Sequence, residues 1–361
     1  MKRAGLLCIL VMVLISGCTS IYYRIPVEGR LENFTVFDIL VWTSKSILGP
    51  VRFADSHETA SLSSDFVPRP EDTALTVSMI GDIMFHPSLM DNPQRLYEYI
   101  PEDLFDTDIR FGNLEFPIHP GRPPRGFPRF NGTSEYFAKI VLPMNLNVIN
   151  LANNHCLDQG IDGLLATAEL LENYSIKVLG IKNACDRYIL LEIDGLTVAM
   201  SGYTFSTNGV FVEGDSIVNR ANLNAWNISD ANLDDLLRLV DRMSDLADIV
   251  IMSLHWGYEL ELYPRSNQVV IARTLADRGV DLIIGHHPHV LQPVEVYETE
   301  DGRLSTIVYS LGNWTTSMHH RATRTTAIMK VALDASGQIA ELEECSLLLD
   351  LGIGQFVPDN W

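Results

Sequence analysis

The chain has 361 residues, 47% of them hydrophobic, so it is long enough for one large domain or two ordinary ones with a buried core. Its formal net charge is −20, which excludes a sequence-independent grip on nucleic-acid phosphates over most of the surface. Anionic substrates would be repelled as well, unless bound cations reverse the sign of the charge locally. We therefore expect a globular protein that does not bind nucleic acid.

The first 18 residues, MKRAGLLCILVMVLISGC, have the layout of a secretory signal peptide, because two basic residues precede an apolar core. The ending ISGC resembles the lipobox of bacterial lipoproteins, which predicts cleavage before Cys18 and lipid attachment there. An uncleaved anchor helix is the alternative, although the apolar run is shorter than the ~20 residues that a span needs. Either way, the sequence predicts a lipid-anchored or membrane-anchored protein on the extracytoplasmic face of the cell membrane.

The rest of the chain divides into three predicted parts. Residues 19–73 are expected to be tether and linker, residues 74–345 the folded domain, and residues 346–361 a C-terminal tail. Cys156, Cys185 and Cys345 are the cysteines of the body of the protein, and their odd number argues against a disulfide framework.

From residue 74 onward, short apolar runs alternate with segments of helical periodicity. Helices are predicted at 161–174, 229–247 and 267–279. Strands are predicted at 74–82, 111–115, 146–155, 176–180, 188–195, 196–204, 248–257, 280–287, 305–313 and 325–333. Strand–helix–strand units give parallel strands, whereas the Asp-Gly pairs at 194–195 and 301–302 are typical of hairpins, so we expect an α/β sandwich with mixed sheets.

Polar side chains of the kinds that bind metals end five of the predicted strands. They are Asp82, Glu115, Asn154 with His155, His255, and the histidines of GHHPH at 285–289. The carboxyl ends of strands meet at one edge of a sheet, so these side chains are expected to share a pocket. Imidazole, carboxylate and amide groups together suit Mn²⁺, Fe²⁺ or Zn²⁺, and the set is too rich for one ion. A carboxylate can bridge two cations, so the pattern predicts a binuclear hydrolytic centre with two divalent metal ions.

Each of these residues also has a purely structural interpretation. Asp82 is typical of a turn, Glu115 could pair with Arg110, and His255 could be a hydrogen-bonded core histidine. Unrelated structural needs would then have to place every one of them at a strand end. We therefore favour the shared metal site.

Six motifs, in chain order, resemble those of the CapA family, the capsule-synthesis proteins of bacterial poly-γ-glutamate production. They are GDIMFH, NLEFPI, NLANNHCLDQGIDGL, HWGYE, GHHPHVLQPVE and YSLGNW, and the resemblance runs from about residue 75 to about residue 331. That family is related to the calcineurin-like metallophosphoesterases. The resemblance implies a four-layer α/β/β/α sandwich with metals at the strand ends.

The resemblance also implies roles for the motif residues. Glu115 would bridge the two metals, His155 would protonate the leaving group, and Asp158 would orient His155. The metal ligands would be Asp82, Glu115, Asn154, His255, His287 and His289. His287 and His289 are two residues apart, so in an extended segment their side chains would project to the same side. His286 would point away from that side and have a supporting or structural role.

The chain departs from the first motif of the wider superfamily, Asp-x-His, because Met84 stands where histidine is usual. The nearest imidazole is His86, which becomes a further metal ligand only if the strand continues to it before Pro87. In the last motif, Trp314 replaces the usual phenylalanine, which changes little.

Substrate contacts are predicted in three loops. Arg122, Arg125 and Arg129 suit carboxylate or phosphate groups, although a solvated loop that balances nearby acidic surface explains them as well. Asn208 would lie at the rim of the pocket, and Asn313 would contact substrate or fix its own loop.

The resemblance implies participation in the synthesis, export or processing of poly-γ-glutamate, an anionic polymer, beside membrane-bound polymer synthase subunits. Two alternatives stay open. One is a stand-alone metal-dependent phosphoesterase or amidase acting on cell-envelope material. The other is a non-catalytic metal-binding subunit of a polymer-synthesis complex.

Overall fold

The structure is a computed structural model that describes residues 44–45, 48–52, 68–182, 186–210, 217–225 and 233–359. The predicted signal peptide, the predicted lipidation site Cys18 and most of the predicted tether lie outside the described residues. Within the described ranges, no helix is both long enough and apolar enough to cross a bilayer.

The described part of the chain contains fourteen β-strands and five α-helical segments. The strands are β1 (Leu75–Ile83), β2 (Ile109–Leu114), β3 (Val148–Asn150), β4 (Lys177–Leu179), β5 (Ile189–Ile193), β6 (Leu196–Thr204), β7 (Ile249–His255), β8 (Leu282–His286), β9 (Val294–Glu298), β10 (Leu304–Val308), β11 (Asn313–Thr315), β12 (Thr325–Leu333), β13 (Ile339–Asp350) and β14 (Gln355–Pro358). The helices are α1 (Ser134–Tyr136), α2 (Gly160–Asn173), α3 (Asp234–Leu246), α4 (Ser266–Asp277) and α5 (Arg321–Arg324).

The strands form two mixed sheets, as the sequence predicts. The first has the order β14-β13-β12-β1-β2-β3-β4, with β11 paired to β1 outside this path, and the second has the order β5-β6-β7-β8-β10-β9. Strands β1 to β4 are parallel to one another, and so are β6, β7, β8 and β10. The remaining long pairings, those of β12 to β14, β5 and β9, are antiparallel.

Both predicted hairpins are confirmed. The β5–β6 turn places Asp194 and Gly195 at φ angles of 49° and 88°, and the β9–β10 turn places Gly302 at 86°. Aspartate and especially glycine tolerate this left-handed backbone, which allows β5 and β6 to reverse within two residues and β9 and β10 within the loop 299–303.

An apolar core fills the space between the two sheets. Val77 and Phe111 of the first sheet belong to the same buried cluster as Ile251 and Ile284 of the second. Because these strands also have apolar side chains on their outer faces, helices cover both sheets from outside, and the predicted four-layer α/β/β/α sandwich is confirmed.

The helices that cover the sheets are amphipathic. Helix α3 buries Leu236, Val240 and Met243 against the second sheet, four and then three residues apart, which is the spacing of one helical face. Helix α2 buries Leu164 and Leu171 in the cluster on the outer face of the first sheet. Truncating one of these leucines to alanine is expected to cost about 2–5 kcal/mol.

Strand β13, which the sequence analysis did not predict, continues to Asp350, and β14 pairs with it, so residues 346–358 form part of the first sheet. Glu341, Glu343 and Glu344 interrupt the apolar alternation in β13, which hid it from periodicity. Part of the predicted tether also contacts the domain, because Val51 forms a parallel bridge with Glu261.

The short strand β11 approaches β1 unusually closely. A Cβ atom on Gly81 would lie 2.3 Å from the carbonyl oxygen of Gly312, so only glycine fits at position 81. This approach places Asn313 directly opposite Asp82 at the carboxyl end of β1.

Candidate metal centre

The carboxyl ends of the parallel strands from both sheets meet at one edge of the sandwich. Asp82 is paired with Asn113 across β1 and β2, and His255 is paired with His286 across β7 and β8. The two edges touch, because His286 Nδ1 lies 3.2 Å from Asp82 Oδ1. Residues from four distant stretches of sequence therefore share one buried site, as expected for strand ends.

Asp82 is fully buried and surrounded by the histidine loop that follows β8. The backbone N–H of His287 donates to Asp82 Oδ2 at 3.0 Å, and His289 Nδ1 lies 3.3 Å from the same oxygen. His255 Nδ1 is 4.0 Å from Asp82 Oδ1. The carboxylate is thus surrounded by groups from two elements, β7 and the loop that follows β8.

Glu115 occupies the position between the two halves of the site. Its Oε1 atom lies 3.6 Å from His255 Nε2 and 3.8 Å from His289 Nε2. His255 Nε2 also lies 3.0 Å from Asn154 Oδ1. The ligand-capable atoms of Glu115, His287 and His289 all lie within 4.8 Å of one another. These three residues therefore form a cluster that could hold a metal ion.

Several polar atoms of the site are buried without a hydrogen-bond partner. They are both carboxylate oxygens of Glu115, both ring nitrogens of His287 and Nε2 of His286. Such atoms are rare in folded proteins, because each carries the cost of desolvation uncompensated. Carboxylate oxygens and imidazole nitrogens are ligands for Mn²⁺, Fe²⁺ and Zn²⁺, so the donor set fits the predicted divalent metals.

The ionisable side chains of the site shift one another's pKa values. Burial, with the negative charge of Asp82 next, raises the pKa of Glu115 well above its usual range. Burial alone would lower the pKa of His289, but the charges of Glu115 and Asp82 outweigh it and raise that pKa to about 10. Burial and the neighbouring His287 lower the pKa of His255. The carboxylates and imidazoles of the site thus strongly perturb one another's pKa values, as expected for a tight cluster of buried ionisable groups.

The histidine loop is not the extended segment that the sequence analysis assumed for residues 287–289. Strand β8 ends at His286, and His287 and His289 adopt positive φ angles of 96° and 58°. Positive φ in residues other than glycine is costly and concentrates at functional sites. The two rings nevertheless lie together, with centroids 5.7 Å apart, and His286 contacts Asp82 rather than pointing away from the site.

A hydrogen-bonded pair stands beside the centre. His155 Nδ1 lies 2.7 Å from Asp158 Oδ2, and the same oxygen accepts the backbone N–H of Phe130 at 2.7 Å. The ring of Phe130 packs edge-on against His155 at a centroid distance of 4.7 Å. Asp158 therefore fixes the ring and leaves Nε2 as the nitrogen available to a substrate.

The loop with the three predicted substrate-binding arginines is attached to this pair. Arg122 Nη1 donates to the carbonyl and side-chain oxygens of Gln159, at 3.0 and 3.1 Å, and Gln159 donates to the carbonyl of Phe130. Arg122, Arg125 and Arg129 are all exposed. The structure thus places the loop beside His155, with its cationic side chains at the surface.

Three other predicted residues are placed as follows. Asn208 Nδ2 lies 3.5 Å from His155 Nδ1, next to the hydrogen-bonded pair. Asn313 uses both ends of its amide inside the protein, because Oδ1 lies 2.8 Å from His289 Nδ1 and Nδ2 donates to two carbonyl groups. His86 lies beyond the end of β1, where its ring contacts Ser88 Oγ, and no contact joins it to Asp82 among the described residues.

Sequence reasoning missed Asn113, Asn150 and Phe205. The two asparagines are buried beside Asp82, whereas the ring of Phe205 packs on His287 at a centroid distance of 4.7 Å. Asn113 could have been noticed, because it precedes Glu115 by two residues in NLE and so points to the same side of the strand. Phe205 gives no such signal, since it lies in a loop whose path the sequence does not fix.

A model of the bacterial capsule synthesis protein family PGA_cap matches residues 76–317. The chain belongs to this family. The match includes every motif from GDIMFH to YSLGNW, so the resemblance drawn from those motifs is confirmed.

Two curated relatives cover most of the chain. The PGA biosynthesis protein CapA of Bacillus subtilis (strain 168) is 27% identical over 277 residues, which are 74% of this chain and 70% of that protein. The capsule biosynthesis protein CapA of Bacillus anthracis is 28% identical over 288 residues, covering 75% and 67%. A probable polyglutamine synthesis accessory protein of Mycobacterium tuberculosis is 29% identical over 174 residues, covering 46% and 44%.

Among solved structures, a 5′-nucleotidase precursor from Thermus thermophilus has a TM-score of 0.45 at 15% identity, covering 76% of this chain and 54% of that one. A hypothetical protein from the same organism also has a TM-score of 0.45, at 14% identity, covering 75% and 98%. Similarities this distant say nothing about activity, so the function rests on the site itself.

Proposed function

We propose that the protein is a metal-dependent hydrolase of capsule production, which cleaves or trims poly-γ-glutamate during its synthesis or export. Family membership and the names of the two Bacillus relatives support the polymer. One observation supports hydrolase activity above all. The carboxylate oxygens of Glu115 and the ring nitrogens of His287 are buried without hydrogen-bond partners, and they lie beside the His155–Asp158 pair.

Two groups of residues would have separate roles, metal binding and proton transfer. Asp82, Glu115, Asn154, His255, His287 and His289 would hold two divalent metal ions, which when bound would activate water and polarise the carbonyl or phosphoryl group under attack. His155 would donate the proton on Nε2 to the leaving atom, and Asp158 would keep the ring oriented for that transfer.

Polymer recognition would come from the arginine loop. Each unit of poly-γ-glutamate carries a carboxylate, and the exposed guanidinium groups of Arg122, Arg125 and Arg129 bind carboxylates through paired hydrogen bonds. Because the chain has a net charge of −20, a local group of cations is needed to bring an anionic polymer to the site.

The proposal places the protein at the membrane surface, on the extracytoplasmic side, through a lipid on Cys18. The apolar signal and the ISGC ending support this placement. Exported polymer would then emerge beside the site and beside synthase subunits in the same membrane. The Cys18→Ala variant is expected to leave the membrane fraction, and a variant that stays there in full would contradict the lipid anchor.

The central experiment measures bound metal and hydrolysis of a γ-glutamyl polymer and of a phosphodiester. It compares the wild type with Glu115→Gln, His155→Gln and the control Glu135→Gln, which alters an exposed glutamate paired with Lys139. Glu115→Gln is expected to lose both metal and activity. His155→Gln is expected to keep the metal and to lose about 10²–10⁴-fold in turnover, the usual contribution of a general acid.

Other outcomes separate the alternatives. Cleavage of the phosphodiester without the polymer would favour a stand-alone phosphoesterase. Metal binding without any hydrolysis would favour a non-catalytic subunit. Absence of bound metal in the wild type, even after dialysis against Mn²⁺ or Zn²⁺, would contradict the proposed centre.

A further inference from the structure

Three asparagines flank the predicted metal ligands in a single row across the first sheet. Asn313 is paired with Asp82, Asp82 with Asn113, and Asn113 with Asn150, each as direct neighbours on adjacent strands. All four side chains are fully buried. We call Asn113, Asn150 and Asn313 the amide row.

Asn113 holds one oxygen of the Asp82 carboxylate. Its Nδ2 atom donates to Asp82 Oδ1 at 2.8 Å, whereas its Oδ1 atom accepts from Asn150 Nδ2 at 3.0 Å. The reversed amide would set an oxygen against the carboxylate and a donor against Asn150. Its two neighbours therefore fix the orientation of Asn113.

Asn150 is itself fixed by the backbone. Its Nδ2 atom donates to the carbonyl of Ala152 at 2.9 Å, and its Oδ1 atom accepts from the N–H of Ala152 at 3.1 Å. Strand β6 of the facing sheet leaves space for this amide, because a Cβ atom on Gly202 would lie 2.0 Å from Asn150 Oδ1. A side chain at position 202 would therefore displace Asn150 and, through it, Asn113.

Asn313 orients the His289 ring through a hydrogen bond, as Asn113 orients the Asp82 carboxylate. Its Nδ2 atom donates to the carbonyl groups of His289 and Thr323, at 3.3 and 2.9 Å, so Oδ1 must face His289 Nδ1 at 2.8 Å. An oxygen facing Nδ1 requires the hydrogen on that nitrogen. This leaves His289 Nε2, which lies 3.8 Å from Glu115 Oε1, as the atom available to a cation.

We propose that Asn113 and Asn313 are positioning residues of the metal centre. Asn113 holds Asp82 by one oxygen, and Asn313 holds His289 with Nε2 towards Glu115. The inference rests on the metal centre of the proposed function, but it is independent of what that centre hydrolyses.

The test compares Asn113→Ala and Asn313→Ala with the matched control Asn147→Ala. Asn147 also links strands β2 and β3, accepting from Arg110 N and donating to the carbonyl of Asp108, but at the opposite end of the sheet. In titrations of the metal-free chain with Mn²⁺ or Co²⁺, the first two variants are expected to bind about 10–100-fold more weakly, the usual effect of losing such a partner. Asn147→Ala is expected to bind as the wild type does. Equal affinities in all three variants would overturn the proposal.

Asn313→Asp separates positioning from a purely structural role. It keeps the acceptor oxygen for His289 Nδ1 but loses both donated hydrogen bonds, so it should unfold more easily. Its metal affinity should equal or exceed that of the wild type, because the added negative charge also favours a cation. A loss of affinity as large as that of Asn313→Ala would count against positioning. Asn113→Ser serves if Asn113→Ala does not fold, and it is expected to bind between the wild type and the other weakened variants.

A measurement without metal distinguishes this inference from the proposed function. Ring ¹⁵N signals of the metal-free chain report the hydrogen bond at His289 Nδ1. That signal is expected to shift in Asn313→Ala and to stay in place in Asn147→Ala. If the wild type binds no metal, the proposed function fails. An unshifted His289 signal overturns the positioning role in either case.

Discussion

The pair formed by His155 and Asp158 allows a quantitative prediction. Asp158→Ala removes the carboxylate that accepts both His155 Nδ1 and Phe130 N at 2.7 Å. The site is water-poor, because the two side chains are only 6% and 2% exposed, so solvent replaces neither hydrogen bond fully. The His155 ring is then no longer held in the orientation that presents Nε2.

The expected magnitude follows from the lost contact with His155. A hydrogen bond to a charged group contributes about 1.5–3 kcal/mol, and each 1.36 kcal/mol corresponds to a factor of ten in rate. Turnover should therefore fall about 10- to 150-fold in Asp158→Ala. Asp158→Asn keeps an acceptor oxygen without its charge, and an intermediate loss is expected.

The assay is steady-state turnover of the substrate that the wild type hydrolyses, with bound metal measured on the same samples. Metal content should not change, because Asp158 contacts His155 and Phe130 rather than the ligand cluster. Asp162→Ala is the control, since Asp162 is an exposed carboxylate in the first turn of α2. Unchanged turnover in a folded Asp158→Ala variant would refute the role of Asp158 in orienting His155.

Three further predictions concern the rest of the domain. Mn²⁺ at 100 times its Kd should raise the free energy of unfolding by about 2.7 kcal/mol, and Glu115→Gln should abolish this gain in thermal unfolding. Burial raises the pKa of Asp281 to about 6 despite Arg303 at 3.1 Å. That folded-state pKa lies above the unfolded value, so the folded protein binds the Asp281 proton more tightly than the unfolded chain does. This contribution to the free energy of unfolding is complete below about pH 4 and disappears as the pH rises through 6. The free energy of unfolding of Asp281→Asn, measured in urea, should therefore rise relative to that of the wild type by up to about 3 kcal/mol between pH 4 and pH 7. A difference that falls over this pH range would show that Arg303 dominates over burial. Burial also raises the pKa of Cys156 to about 12, so iodoacetamide at pH 8 should modify it, as read by mass spectrometry, only after unfolding.

The sequence by itself determined the layers of the fold and most members of the site. Buried parallel strands are apolar runs, helices that cover a sheet repeat every three to four residues, and Asp-Gly pairs favour tight hairpins. All three are local patterns, which is why β1, β7 and α2 are found close to their predicted positions. Polar residues at strand ends are equally local, and Asp82, Glu115 and His255 were found in that way.

Strands whose stability comes from their neighbours were missed. Strand β13 carries three glutamates, and β11 has only three residues, so neither shows a clear period of its own. Both are held by strand pairing, β11 with β1, which is distant in sequence, and β13 between its sequence neighbours β12 and β14. Tertiary context outweighs local propensity in such segments.

Only the tertiary structure decided how the site residues face one another. Strand periodicity predicted that His286 points away from the site. Instead, the strand ends at that residue, and the loop turns with positive φ at His287 and His289. All three histidines therefore lie near Asp82. Likewise, Asn313 was a predicted substrate contact or loop anchor until the approach of β11 to β1 set it opposite Asp82 and against His289. Residue type determines which chemistry is available, but the direction of a side chain depends on backbone angles and on neighbours hundreds of residues away, which no local pattern contains.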